Sequence, residues 1–164
     1  MIIKHFTATG IILDEDKALL IWHKKLGTWL PPGGHVEENE LPNETLLREV
    51  KEEIGREIEI ITDNTFENEN KMFSELDKRT IVLPSPWRTV EVQIEEDHFH
   101  IDLLYLAKLK DSKETKSEDH KTKWFTIEDL KNEKDIYYNV KHHVQEAIKT
   151  RKKNKMIPGN QNNL

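Results

Sequence analysis

The segment from Gly33 to Arg56, GGHVEENELPNETLLREVKEEIGR, leaves the backbone few choices. Pro42 stands where the missing N–H of a first helical turn costs little, and Gly55 stands where helices commonly stop in the left-handed conformation. The spacing therefore predicts a helix over about Pro42 to Ile54. Leu46, Leu47, Val50 and Ile54 recur at intervals of three and four, so they are expected to bury against a sheet while Glu49, Glu52 and Glu53 occupy another face. Like charges at these intervals disfavour a bare helix by roughly 0.2–0.5 kcal/mol per pair, so something positive is required nearby. A hard divalent cation such as Mg2+, which takes oxygen ligands and bridges carboxylates to substrate phosphates, would meet that need; a solvated acidic face is the other reading of the same residues.

Around this helix the chain alternates strand and turn signals. Ile2 to Leu13 and Ala18 to Trp22 are apolar runs separated by Asp14-Glu15-Asp16-Lys17, as expected of two strands and a polar turn. Lys24 to Leu30 forms a loop, and Pro31-Pro32 before Gly33-Gly34 drives an extended segment into a tight turn. Ile58 to Ile61, Thr80 to Leu83, Thr89 to Ile94 and His98 to Leu109 have strand character. The polar stretch from Thr62 to Arg79 carries no assignable period, and Asp111 to Lys123 is a charged loop of alternating sign. Trp124-Phe125-Thr126 ends that loop, with Thr126 placed to cap a short helix through Ile127 to Leu130. Ile136, Val140, Val144 and Ile148 repeat every four residues and predict a final amphipathic helix of roughly fifteen residues. The expected organisation is one domain over 1–150 and a loose basic, Asn-rich tail over 151–164.

Composition narrows the chemistry. The 164 residues suit a single core, and 25 Lys and Arg against 31 Asp and Glu give a net charge of -6, which argues against bulk nucleic-acid binding. Without cysteine there are neither disulfides nor thiolate metal sites. No run approaches the roughly 18 apolar residues of a membrane helix, and the N-terminus lacks a cleavage pattern, so a soluble cytoplasmic protein is expected.

The order of fixed residues in the opening segment resembles the signature of the Nudix hydrolase family, G-x5-E-x7-R-E-U-x-E-E-x-G-U with U a bulky aliphatic. The agreement falls on Gly34, Glu40, Arg48, Glu49, Val50, Glu52, Glu53 and Gly55, and the one departure is Arg56 at the final aliphatic position, whose pocket Ile58 is placed to fill. With each fixed type near a tenth or less of typical composition, accidental agreement is on the order of one in ten million per register. The motif covers 23 of the 164 residues, and Trp29 to Gly34 matches the Trp-x-x-Pro-Gly-Gly approach common in that family. The resemblance implies an α/β/α sandwich around a mixed β-sheet. It implies a pyrophosphohydrolase that cleaves a nucleoside diphosphate derivative or other small nucleotide by attack of water at phosphorus, using Mg2+ or Mn2+; a Nudix-fold nucleotide-binding or regulatory module without turnover is the alternative. By the same resemblance Glu52 and Glu53 are the chief metal ligands, Glu49 a further ligand or base, and the Gly33 carbonyl an additional ligand. Glu40 and Arg48 form the ion pair that orients them. Glu118, six residues before Trp124, resembles an acidic loop residue that supplies a further ligand in some members, with Glu114 and Asp119 as neighbours.

Outside the motif, His98 and His100 lie two apart on an expected strand and so share a face, where they could meet a metal or a substrate phosphate; Asp102 follows on that face and could touch a base or ribose. Partly exposed strand histidines are the simpler reading as long as no third ligand joins them. His142 and His143 are adjacent and expected at the surface. Trp22, Trp29, Phe73, Trp87 and Tyr105 are the rings eligible to stack on a base, most of them better suited to core or rim. Substrate identity and oligomeric state do not follow from these residues.

Overall fold

A computed structural model describes residues 1–111 and 120–155. In chain order its elements are β1 (Ile3–Asp14), β2 (Lys17–His23), β3 (Thr28–Leu30), β4 (Gly33–His35), α1 (Pro42–Ile54), β5 (Ile58–Ile60), α2 (Asn64–Leu76), β6 (Arg88–Glu95), β7 (His98–Leu109), β8 (Thr122–Thr126), α3 (Ile127–Asn132) and α4 (Tyr138–Lys155). All the strands join one mixed sheet whose central path is β3-β2-β1-β7-β5, with β4 added to β1, β6 to β7 and β8 to β2. β1 and β7 run parallel over ten paired residues from Ile3 opposite His98 to Ile12 opposite Ala107; the other pairings are antiparallel.

The pleat of β1 divides the core. Ile11 and Leu13 face one side, where they pack with Leu20, Trp29, Phe125, Leu130, Val144 and Ile148 beneath α3 and α4. Ala8 and Ile12 face the other, against Leu46, Val50 and Ile54 of α1, with Leu19, Ile58 and Tyr105. Helices thus cover both faces, which is the α/β/α layering expected. The alternation is visible at Gly10, where an added methyl group would press into Leu46 from α1.

Several expectations change. Leu47 does not join the buried face of α1: it is exposed, and Thr45 is buried in its place. Along α1 the sheet accepts only a narrow stripe at 46, 50 and 54, and a side chain one position on is turned about 100° away. Thr80 to Leu83 lies outside any strand, because the amide of Asn70 takes both backbone groups of Val82, accepting from its N–H at 3.2 Å and donating to its carbonyl at 3.3 Å. The stretch without assignable period is α2, started by the Asp63 carboxylate accepting from Phe66 N–H at 3.0 Å. The last helix runs beyond residue 150, and Arg151 is buried with its guanidinium donating to the Leu13 carbonyl. Thr126 caps α3 as expected, its hydroxyl accepting from Asp129 N–H at 3.1 Å. Among the described residues no helix is long and apolar enough to cross a membrane.

Because Leu46 is fully buried between α1 and β1, Leu46→Ala is expected to cost about 2–5 kcal/mol of unfolding free energy, read as a lower urea midpoint at unchanged slope.

Candidate active site

α1 is held at both ends before it presents any chemistry. Leu41 N–H, at its start, donates to the Glu44 carboxylate at 3.0 Å, and Gly55, at φ 67°, closes it in the left-handed conformation that costs glycine nothing while its N–H donates to Lys51. Just ahead of the helix, Glu40 accepts from the buried Thr45 hydroxyl at 2.7 Å and from Glu37 N–H at 3.2 Å. These bonds aim its two oxygens at Arg48.

Arg48 meets them as a fork, Nε donating to Glu40 Oε1 at 2.8 Å and Nη2 to Oε2 at 3.0 Å. The remaining guanidinium edge reaches the helix carboxylates: Nη1 donates to Glu49 at 2.8 Å and, at 3.4 Å, to Glu52 one turn on. Nη2 also donates to the His35 carbonyl at 3.3 Å, tying α1 to β4. The guanidinium bond draws the Glu40 carboxyl down to about 2 from its ordinary 4.5.

Glu53 lies on the opposite flank and accepts from Gly33 N–H at 2.9 Å. Burial pushes its carboxyl up to about 7 against the pull of that N–H, and the negative charges of Glu49 and Glu52 raise it further. Glu49 abuts the neighbouring glycine so closely that a Cβ at Gly34 would occupy the space of its carboxylate. The glycine pair is therefore a shelf against which two glutamates are pressed, and Glu52, whose side chain is 61% exposed, opens the group to solvent. One guanidinium cannot neutralise Glu40, Glu49, Glu52 and Glu53 together, so the donor set retains an excess of oxygen-borne negative charge. All-oxygen, acidic donors fit a hard divalent cation of the Mg2+ or Mn2+ kind.

A family model described as the NUDIX domain matches residues 4–145. The chain belongs to the Nudix family. A solved hydrolase of that family from Clostridium perfringens is 34% identical with a TM-score of 0.76, and the match covers 90% of this chain and 97% of that one. Among curated relatives, a probable DHNTP pyrophosphohydrolase of Lactococcus lactis subsp. cremoris is 32% identical over 105 residues, 64% of this chain and 54% of that protein. An RNA pyrophosphohydrolase of Marinomonas sp. is 40% identical over 57 residues, 32% of this chain and 35% of that protein. The matches thus span from about a third to about half of those curated relatives' lengths. The mixed sheet with helices is the Nudix fold.

The other residues named from the sequence are distributed unevenly. Arg56, at the aliphatic position of the signature, is buried and donates to the carbonyl and the carboxylate of Asp111, while Ile58 enters the α1 core beside Ile54. Asp102 is occupied by β1: its carboxylate accepts from the hydroxyls of Thr7 at 3.0 Å and Thr9 at 2.8 Å, and burial raises its carboxyl above the ordinary range. Trp29 and Tyr105 are core residues, whereas Trp22 and Trp87 are partly buried beside the α3 and α4 core. His142 is exposed, and His143 is half-buried beside Arg88. Glu114, Glu118 and Asp119 lie outside the described residues.

His98 and His100 do share a face, but in company the sequence reading missed. His5 of β1 and His35 of β4 join them, with His35 Nε2 3.1 Å from His100 Nε2 and His98 Nε2 3.1 Å from His5 Nδ1. Burial and the neighbouring imidazoles lower His100 to about 4. His5 and His35 had no signal in the sequence, because their partners are supplied by pairings across 93 and 65 residues of chain.

A pH test isolates the Glu40 bond. Since the folded-state value of about 2 lies below the ordinary 4.5, the Glu40–Arg48 pair contributes fully above pH 4.5 and loses its contribution as pH falls toward 2. Glu40→Gln is therefore expected to lower the denaturant midpoint at neutral pH, with the gap to wild type narrowing across that acid window.

Proposed function

We propose that this chain hydrolyses a pyrophosphate linkage in a small nucleotide or nucleoside diphosphate derivative, with Mg2+ or Mn2+ held by Glu49, Glu52 and Glu53 and by the Gly33 carbonyl. The observation that carries this reading is the pressing of Glu49 and Glu53 onto the Gly33-Gly34 shelf while Arg48, fixed by Glu40, sets the rotation of Glu49 and Glu52. When bound, such a cation neutralises phosphate charge and lowers the pKa of coordinated water. The chain's own residues supply orientation. Glu53 is kept in place by Gly33 N–H, and Glu49 is kept from swinging free by Arg48. Glu49 serves as a further ligand or as the base that takes a proton from the attacking water, and Glu52 is the most open of the three to solvent. Arg48 is a positioning residue, because Glu40 and Glu49 engage its guanidinium from either side. The relatives named pyrophosphohydrolases support the reaction class, and the net charge of -6 favours a small substrate brought in with a cation over a long nucleic acid. Glu118 belongs to this reading as a further ligand contributed from the segment before β8, and the protein works in the cytoplasm.

Glu52→Gln and Glu53→Gln are expected to abolish turnover of nucleoside triphosphates, dinucleotides and nucleotide sugars in a phosphate-release assay with Mg2+ or Mn2+, with circular dichroism unchanged. Full activity in both variants would sink the proposal, and nucleotide binding by calorimetry without any product in the wild type would favour a binding module instead. Arg48→Lys, which keeps the charge but not the fork, is expected to reduce kcat by about 10–100-fold. Arg48→Lys turning over at the wild-type rate would contradict the positioning role.

A further inference from the structure

On the sheet face opposite α1, at the starts of β1 and β7 and the end of β4, the side chains of His5, His35, His98 and His100 bring four ring nitrogens within 4.8 Å of one another. The pleat places them there. His35 pairs with Thr7 and Gly34 with Ala8, and since Ala8 lies in the α1 core, His35 points the other way. His5 lies opposite His100 across the parallel ladder, and His98 is two residues back on the same strand and face. The rings stand edge to face, at centroid separations of 4.6 Å for His35 and His100, 4.9 Å for His5 and His98, and 5.0 Å for His98 and His100.

Two features separate this group from a chance crowd of imidazoles. First, the closest nitrogen pairs are 3.1 Å apart, close to the edge of about 3.3 Å that a tetrahedron with metal–nitrogen bonds of about 2.0–2.1 Å would have. Second, a contact of that length cannot place two N–H groups nose to nose, so each pair includes at least one unprotonated ring nitrogen, which can ligate a cation once its neighbour's N–H proton is released or its ring is turned. Bare imidazole nitrogens are ligands for borderline-soft cations and poor ligands for Mg2+.

We propose that His5, His35, His98 and His100 form a binding site for a divalent cation of the Zn2+ class, separate from the carboxylate site on α1. The four ligands come from three strands, so the ion joins β1, β4 and β7 at a point where β4 has only three residues of its own. β4 also carries Gly33, which donates to Glu53, and His35, whose carbonyl accepts from Arg48. Occupation of the histidine site therefore braces the shelf against which the acidic residues are set, without placing the ion in contact with them.

The test uses the untagged full chain, stripped with chelator and titrated with Co2+ as a spectroscopic probe. One equivalent is expected to give the intense visible absorption of a four-coordinate nitrogen site, displaced by stoichiometric Zn2+ and unaffected by excess Mg2+. The signal should be lost in His98→Ala/His100→Ala and retained in Glu52→Gln/Glu53→Gln. Should the double histidine variant fold poorly by circular dichroism, the single His5→Gln variant, altered at an exposed side chain, is expected to lose the four-coordinate spectrum in its place. Zn2+ should raise the melting temperature of the wild type and not that of the histidine variant. Absence of the four-coordinate spectrum in the wild type, its persistence without the histidines, or its loss in the carboxylate variant would each overturn the proposal.

Discussion

The Arg48 guanidinium is the interaction on which the acidic site depends. α1 carries Glu49, Glu52 and Glu53 within a turn and a half, and Glu40 stands just before it, an arrangement whose self-repulsion opposes both helix and convergence. Arg48 turns that repulsion into geometry, because its planar fork fills both oxygens of Glu40 and still has an edge for Glu49 and Glu52. The side chain is 27% exposed and its bonds to Glu40 and Glu49 are partly buried, where screening is weaker. Glu53 is the one member that Arg48 does not reach in this set of bonds, and its carboxyl is raised chiefly by burial, with the charges of Glu49 and Glu52 adding to it.

That geometry needs a floor, and the sheet provides it. Leu46, Val50 and Ile54 anchor α1 on β1, and β4, paired to the same strand, brings Gly33 and Gly34 up to Glu53 and Glu49. The anchoring stripe and the acidic face are thus two sides of one helix whose rotation is set by packing. The parallel pairing of β1 with β7 does something different: it brings side chains about 95 residues apart in sequence onto one face, joining Asp102 to Thr7 and Thr9 and gathering the histidines.

Much of this was legible in the sequence because it is local. Pro42, Gly55 and the spacing of Leu46, Val50 and Ile54 define α1 within thirteen residues, and the Glu40–Arg48 pair spans eight. What misled was equally specific. Leu47 has the right hydropathy for the core but the wrong angle. Thr80 to Leu83 has strand character, yet Asn70, twelve residues before Val82, took the backbone groups a ladder would have used. Arg56 looked out of place at an aliphatic position and is accommodated by Asp111, 55 residues away.

By itself the chain determined the helix, its two faces and the family, since each follows from residue type at short separation, where the covalent geometry of the backbone sets the distance; Gly33 and Gly34, expected in a tight turn, instead begin the strand β4. Tertiary structure alone decided which strands neighbour β1, and with that the fates of His98, His100 and Asp102. His98 and His100 share a face by the alternation of a strand, a local rule. Their meeting with His5 and His35 depends on a parallel crossover and a three-residue strand, contacts that exist only once distant apolar surface has been buried and the sheet has closed around it.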